Sequence, residues 1–404
     1  MSDPFPTTAQ PPTVALVLAG GKGSRLAPLT DARSKPSVSF GGSYHIIDVV
    51  LSNLAHSQLR DVWIVEQYRP FTLNQHLASG RPWDLDGTRH GLRILPPAEG
   101  RVEEGFASGN GHALYQQIPI LEAFGAQNVV VLSADHLYQL DLRPVIDQHN
   151  RLGSDLTVVT TEISEDPSRY GMVQVDDDQR VTAYDYKPET PKGKLVATEV
   201  FVFNVAALRR AADEMIEEFK NHEDEDDALG NSLGDYGETI VPHLVNTGTV
   251  HEYRHRDYWR DIGTLDSFYQ AHMELIEGKG LDLDRPGWPV IAHHETYSPA
   301  RFGADAQVSE SIISYGSQIN GTVEHSVIGP GVTVEKGARV YRSVILGDTT
   351  VPAGADLESV IADIAAEIPA RKVGATKPGP GNITVLEPKD RGPNAEGEDQ
   401  TTGH

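Results

Sequence analysis

The chain has 404 residues, no cysteine and a formal charge of −24. Disulfides, thiolate catalysis and zinc-thiolate sites are therefore excluded, and no excess of Lys and Arg exists to coat a nucleic acid or an anionic membrane. The length predicts two domains, and no apolar run approaches the roughly 20 residues that would cross a bilayer.

The opening MSDPFPTTAQPPT is rich in Pro and Thr and has no apolar h-region, so residues 1–12 read as a disordered leader of a cytoplasmic protein. Next comes VALVLAGGKGSRLAPLTDARSKPSV, residues 14–38. Val14–Leu18 is a buried strand by its apolar run, and Gly20, Gly21 and Gly23 follow it at once. Bare glycines let backbone N–H groups approach a phosphate. A tight strand exit would explain the glycines alone, but Arg25, Arg33 and Lys35 stand close behind them. The stretch is no P-loop, because no Lys-Ser/Thr pair closes a GxxxxGK frame.

Further along, Val62–Val65, Val129–Leu132 and Leu156–Thr161 read as strands, while Ile46–Ala55, Ala113–Phe124 and Leu142–Leu152 read as helices. This alternation predicts an α/β domain with a mostly parallel sheet and its ligands at the carboxyl ends of the strands. Asn221–Asp227 (NHEDEDD) is expected to be a solvated acidic loop. His136, His251, His255, His293 and His294 form no set at metal spacing and are taken as structural or exposed. Beyond Gly278 the helix signals stop and a six-residue rhythm begins, with Ile328, Val334, Val340 and Leu346 in register. Such repeats build a parallel β-helix. The expected divisions are a catalytic domain over 13–278, a linker over 279–300, a β-helix of roughly three coils over 301–371, and a disordered tail over 372–404. So short a stack leaves an end that a cap or a partner subunit must cover.

The stretch AGGKGSRLAPLTDARSKPSVSFGGSYHIIDVVLSN resembles the N-terminal signature of ADP-glucose pyrophosphorylases, also called glucose-1-phosphate adenylyltransferases. The likeness continues through EQYRPFTLNQHL (66–77), SADHLYQLD (133–141), YGMVQVDDDQRVTAYDYKPE (170–189), DYGETIVPHL (235–244) and DYWRDIGTLDSFYQAHMELI (257–276). It extends into the repeats SIISYGSQINGTVEHSVIGPGVTV. The resemblance implies a Rossmann-like nucleotidyltransferase domain with a mixed, mostly parallel sheet, followed by a left-handed parallel β-helix. It implies transfer of a nucleotidyl group from a nucleoside triphosphate to a sugar 1-phosphate, with ATP, glucose 1-phosphate and glycogen-type α-glucan synthesis leading. The same chemistry with another base or hexose is the rival, and a non-catalytic sugar-phosphate sensor is a second.

By the same resemblance, Arg25 stabilises the triphosphate, and Lys35 serves the pyrophosphate and sugar-phosphate side. Arg33 is a supporting or effector-contacting cation. Leu18, Ala19, Gly20, Gly21, Gly23, Gln67 and Gly109 are expected at the nucleotide. Gly171, Lys187 and Glu199 are expected at the sugar phosphate, with Lys187 also catalytic. Asp135, itself counted as catalytic, and Asp261 are expected to hold Mg²⁺, a cation that takes few carboxylates and keeps phosphates and waters in its shell. A homotetramer under metabolite control is the family habit.

The departures fall on specificity positions. GNGHAL places Asn110, Gly111 and His112 where a G-T-A-D-A stretch is usual, a pattern reminiscent of uridylyl-type relatives. Tyr186 stands where a glutamate commonly meets the sugar, and Thr198 and Glu199 are expected at the hexose. His45 and His56 replace an Arg and an Asn.

Overall fold

The computed structural model describes residues 11–20, 23–66, 70–95, 109–220, 233–293, 296–377 and 381–389. Strand β1 (Thr13–Ala19) is apolar on both sides: Val14 and Leu16 join one buried cluster and Ala15 and Val17 join another. A continuous apolar run is what a central strand of a covered sheet requires. In chain order follow β2 (Ser39–Phe40), β3 (Tyr44–His45), α1 (Ile46–His56), β4 (Asp61–Glu66), α2 (Pro70–Leu77), β5 (Gly91–Leu95), α3 (Asn110–Phe124), β6 (Asn128–Ser133), β7 (His136–Tyr138), α4 (Leu142–Leu152) and β8 (Leu156–Glu162). Then come β9 (Gly171–Val175), β10 (Val181–Tyr186), β11 (Leu195–Asn204), α5 (Val205–Lys220), α6 (Ile240–Thr247), β12 (Val250–Arg254), β13 (Trp259–Asp261) and α7 (Leu265–Ile276).

Among the described residues the main sheet has nine strands, ordered β10-β9-β11-β6-β1-β4-β5, with β8 on β11 and β12 beyond it. β4, β1 and β6 run parallel, while β11 lies antiparallel to β6. Helices α3, α5 and α6 cover one face, and α1, α2 and α4 cover the other. The helix ends follow their sequence signals. Asp141 caps α4 by accepting from the Arg143 N–H at 3.0 Å, and Gly153 closes that helix at φ +61. The strands and helices expected from the alternation all form within a few residues of their expected ends.

Residues beyond Tyr297 wind into a left-handed β-helix of short parallel strands stacked in sheets of four, five and five. Ile328, Val334 and Val340 pack in its core, whereas Leu346 is buried against the α/β domain. Roughly three coils were expected, but the strands starting at Arg301 make four full coils among the described residues. The expected tail supplies part of a fifth. Lys372–Gly374 pairs with Asp356–Glu358, and Thr384–Leu386 pairs with Val360–Ala362. These strands, with one and two apolar side chains, lie in Pro/Gly-rich surroundings and read as tail. The open edge of the coil below satisfies their backbone groups, which composition cannot show.

The span 279–300 is not an idle linker. Trp288 Nε1 donates to Asn53 Oδ1 at 2.8 Å, and Trp83 Nε1 donates to the Ile291 carbonyl at 2.9 Å. A third apolar cluster joins Leu26, Phe40 and Ile46 to Phe268 of α7 and to Val327, Val344, Leu346 and Ile361 of the β-helix. The two domains therefore share a core. The acidic run 221–227 and the leader over 1–10 lie outside the described residues.

Candidate active site

A cavity of about 470 Å³ opens where β1 and β6 end. That is where an α/β sheet leaves room for a ligand, because the chains leaving neighbouring strands diverge there. Leu18, Ala19 and Gly20 form one wall, and Gly109 and Asn110 at the start of α3 form another. The helix start carries a partial positive charge, which favours an anion. Gly109 has to be glycine: a Cβ there would lie 2.2 Å from the Gly234 carbonyl oxygen. The Asn110 side chain accepts from the Tyr236 N–H at 2.8 Å, which ties α3 to the opposite wall.

Lys35 and Asp135 line the cavity and belong to a charged centre that extends behind it. Lys35, on a short 3-10 turn over Lys35–Ser37, is 6% exposed and donates to Asp135 Oδ2. Its Nζ also lies 3.7 Å from Asp261 Oδ1. Strands β7 and β13 pair so that His136 and Asp261 are direct partners, bringing a residue from the middle of the domain against one near its end. His136 Nε2 lies 3.5 Å from Asp261 Oδ1 and 3.7 Å from Asp135 Oδ1. Burial on its own would raise the Asp135 pKa, but Lys35 and His136 override it and hold the carboxyl well below its usual range. Burial would lower His136, yet Asp135 and Asp261 raise it to about 9. Two carboxylates thus converge on cations. His136, taken from sequence as structural or exposed, is buried inside this centre; its only signal was its place directly after Asp135.

Glu199, Asp235 and Tyr236 also line the cavity. The pairing of β11 with β8 slips between Ala197 and Phe201, and within the slip Glu199 has φ +58. Such a backbone costs a residue with a side chain roughly 1–3 kcal/mol and clusters at functional sites. Glu199 Oε2 accepts from the Tyr236 hydroxyl at 2.7 Å, and burial pushes its carboxyl above the usual range. Tyr186 donates to Asp235, and Lys187 donates to the Tyr186 oxygen. Tyr236 and Asp235 were not singled out from sequence, because they reach Glu199 and Tyr186 only through the fold.

Other expected residues fall elsewhere. Arg25 is exposed on the turn Ser24–Leu26 and does not line the cavity. Gly23 takes φ +64 just before that turn, as a glycine-rich loop requires. Arg33 Nη1 lies 2.8 Å from Asp363 Oδ1 of the β-helix, so it bridges the two domains. Gly171 meets Tyr184: a Cβ would sit 2.1 Å from its hydroxyl, which accounts for the glycine without a sugar. Thr198, expected at the hexose, is buried outside the cavity lining, and its hydroxyl donates to the Val159 carbonyl at 2.9 Å. His112 is buried beside Gln116, 3.2 Å away, and is not part of the cavity wall. His45 lines a second cavity beside the β-helix, and His56 meets the Pro289 carbonyl at 2.7 Å. Gly21, Gln67 and His294 lie outside the described residues.

Residues 14–278 match the nucleotidyl transferase family, and residues 298–377 match the GlmU-like C-terminal hexapeptide family. Among curated proteins, the chain is 38% identical over 331 residues to the glucose-1-phosphate adenylyltransferase of Thermotoga neapolitana, covering 81% of this chain and 76% of that protein. Proteins of the same name from Clostridioides difficile (35% identical; 82% and 84% covered) and Fusobacterium nucleatum (34%; 81% and 83%) are also similar.

Proposed function

The chain belongs to the nucleotidyl transferase family, and on that premise we propose that it makes ADP-glucose and pyrophosphate from ATP and glucose 1-phosphate, for synthesis of a glycogen-type α-glucan. The observation that carries the reading is the convergence of Asp135, Asp261, Lys35 and His136, of which Lys35 and Asp135 line a cavity shared with the end of β1 and the start of α3.

Both substrates are anionic, so the reaction needs alignment and charge neutralisation more than covalent help. An oxygen of the sugar phosphate bonds to the α-phosphorus as the bond to the oxygen bridging to the β-phosphorus breaks, and pyrophosphate leaves. The Lys35 ammonium stands at the centre to meet the charge that develops. His136, protonated at neutral pH, keeps the two carboxylates from repelling each other. The start of α3 supports the phosphates, while Glu199 and Asp235 accept from sugar hydroxyls. Asp135 and Asp261 fit Mg²⁺, since their oxygens already converge on one cation, the Lys35 ammonium. When bound, Mg²⁺ adds positive charge at the triphosphate.

A cytoplasmic homotetramer completes the proposal. Phe302 and Val308, at the uncovered end of the β-helix, are 56% and 38% exposed, and exposed apolar residues at a stack's end support a subunit contact there. An effector acting through Arg33 has to displace Asp363 from it. The test crosses ATP, UTP, GTP, CTP and dTTP with several hexose 1-phosphates and Mg²⁺, reading pyrophosphate release. ATP with glucose 1-phosphate is expected to dominate; dominance of another nucleotide overturns the assignment while leaving the chemistry.

A further inference from the structure

Side chains along a strand alternate between the two faces of its sheet, and a slipped register beside a site re-aims one of them. The slip in β11 does this to Glu199, in a left-handed backbone that favours glycine. The sequence nevertheless keeps an acidic side chain there, and Tyr236 holds its carboxylate in the cavity wall. Lys35 donates to Asp135 and Lys187 to the Tyr186 oxygen, while His136, set against Asp135 and Asp261, and Lys187 both favour the charged form of Glu199. Glu199 and Asp235 thus both line the cavity as acids. A neutral hydroxyl gains an ordinary hydrogen bond from such a wall. An ammonium gains a charge-assisted one, roughly twice as strong, and relieves the mutual repulsion of the acids.

We propose that this cleft also accepts an amino-hexose 1-phosphate as nucleotidyl acceptor, with Glu199 reading the ammonium of the sugar. The inference rests on the nucleotidyl-transfer reading above and adds a substrate class to it. A phosphate oxygen of the amino sugar forms the bond to the α-phosphorus of ATP. The bond from that phosphorus to the bridging oxygen breaks with its electron pair on the departing pyrophosphate, and the ammonium keeps its protons throughout.

The test measures initial rates of pyrophosphate release by the full chain with ATP and Mg²⁺, using glucosamine 1-phosphate and glucose 1-phosphate as separate acceptors. Wild type is compared with Glu199→Gln, which removes the charge, and Glu199→Gly, which removes the side chain and suits the backbone; circular dichroism checks that both fold. Wild type is expected to use the amino sugar with a kcat/KM within about tenfold of that for glucose 1-phosphate. Both variants should lower the amino-sugar to glucose ratio of kcat/KM at least about tenfold, the scale of one lost charge-assisted bond. An unchanged ratio overturns the proposal, as does a wild type that turns over glucose 1-phosphate but not the amino sugar, and either result leaves ADP-glucose synthesis standing. Silence with both acceptors overturns the nucleotidyl-transfer reading and this proposal together.

Discussion

Lys35 is the buried counter-charge that lets two half-buried carboxylates, Asp135 and Asp261, converge. Lys35→Gln leaves Asp135 and Asp261 without it, and breaking a buried pair in this way typically costs about 3–5 kcal/mol. Urea unfolding should show that loss without added metal, and millimolar Mg²⁺ should restore part of it, since a ligand of the native state stabilises by mass action. An equal response of wild type and variant to Mg²⁺ would count against the carboxylates as its holders. Gly171→Ala should destabilise by about 1–3 kcal/mol through overpacking against Tyr184, visible as a lower urea midpoint. Lys35, Asp135 and Asp261 were singled out because each sits in a motif, and Glu199 because it departs from one. His136, Asp235 and Tyr236 were not, because they meet their partners only after β7 pairs with β13 and β11 slips against β8.

Among the elements, α4 and α7 each bury a histidine. His149 lies beside the Thr157 hydroxyl, 2.9 Å away, and His272 accepts from the Gly41 N–H at 3.1 Å while donating to the Phe268 carbonyl at 2.8 Å. Burial pushes both down to about 4 from an ordinary 6.5. Between those pH values the unfolded chain binds protons that the folded chain refuses, so stability falls as pH drops from about 6.5 towards 4. The full effect is on the order of 3 kcal/mol per histidine. Urea unfolding at pH 7 and pH 5 should show the decline, with a shallower slope in His272→Gln; an identical slope would remove His272 from the account. The helices themselves were readable from apolar periodicity and end signals such as Asp141 and Gly153. The strands at Lys372–Gly374 and Thr384–Leu386 were not, because so short a run has no periodicity and forms only on the coil beneath it.

For the whole molecule, the boundary between the α/β domain and the β-helix was legible as a change of rhythm after Gly278, but their union was not. Phe40, Ile46 and Phe268 pack with Val344, Leu346 and Ile361 across that boundary, and the Arg33–Asp363 ion pair reinforces the contact. A shared apolar core makes the two unfold as one. Calorimetry should therefore give a single transition, and two separated transitions would contradict the shared core. On the proposed function, the centre around Asp135 performs nucleotidyl transfer. Its most direct test is pyrophosphate release from ATP and glucose 1-phosphate by wild type and Asp135→Asn, both shown by circular dichroism to be folded. Wild type is predicted to turn over and the variant to lose at least about 10²–10³-fold in kcat, the scale of removing one preorganised electrostatic group; a variant within a few-fold of wild type, or a folded wild type that releases no pyrophosphate, would contradict it.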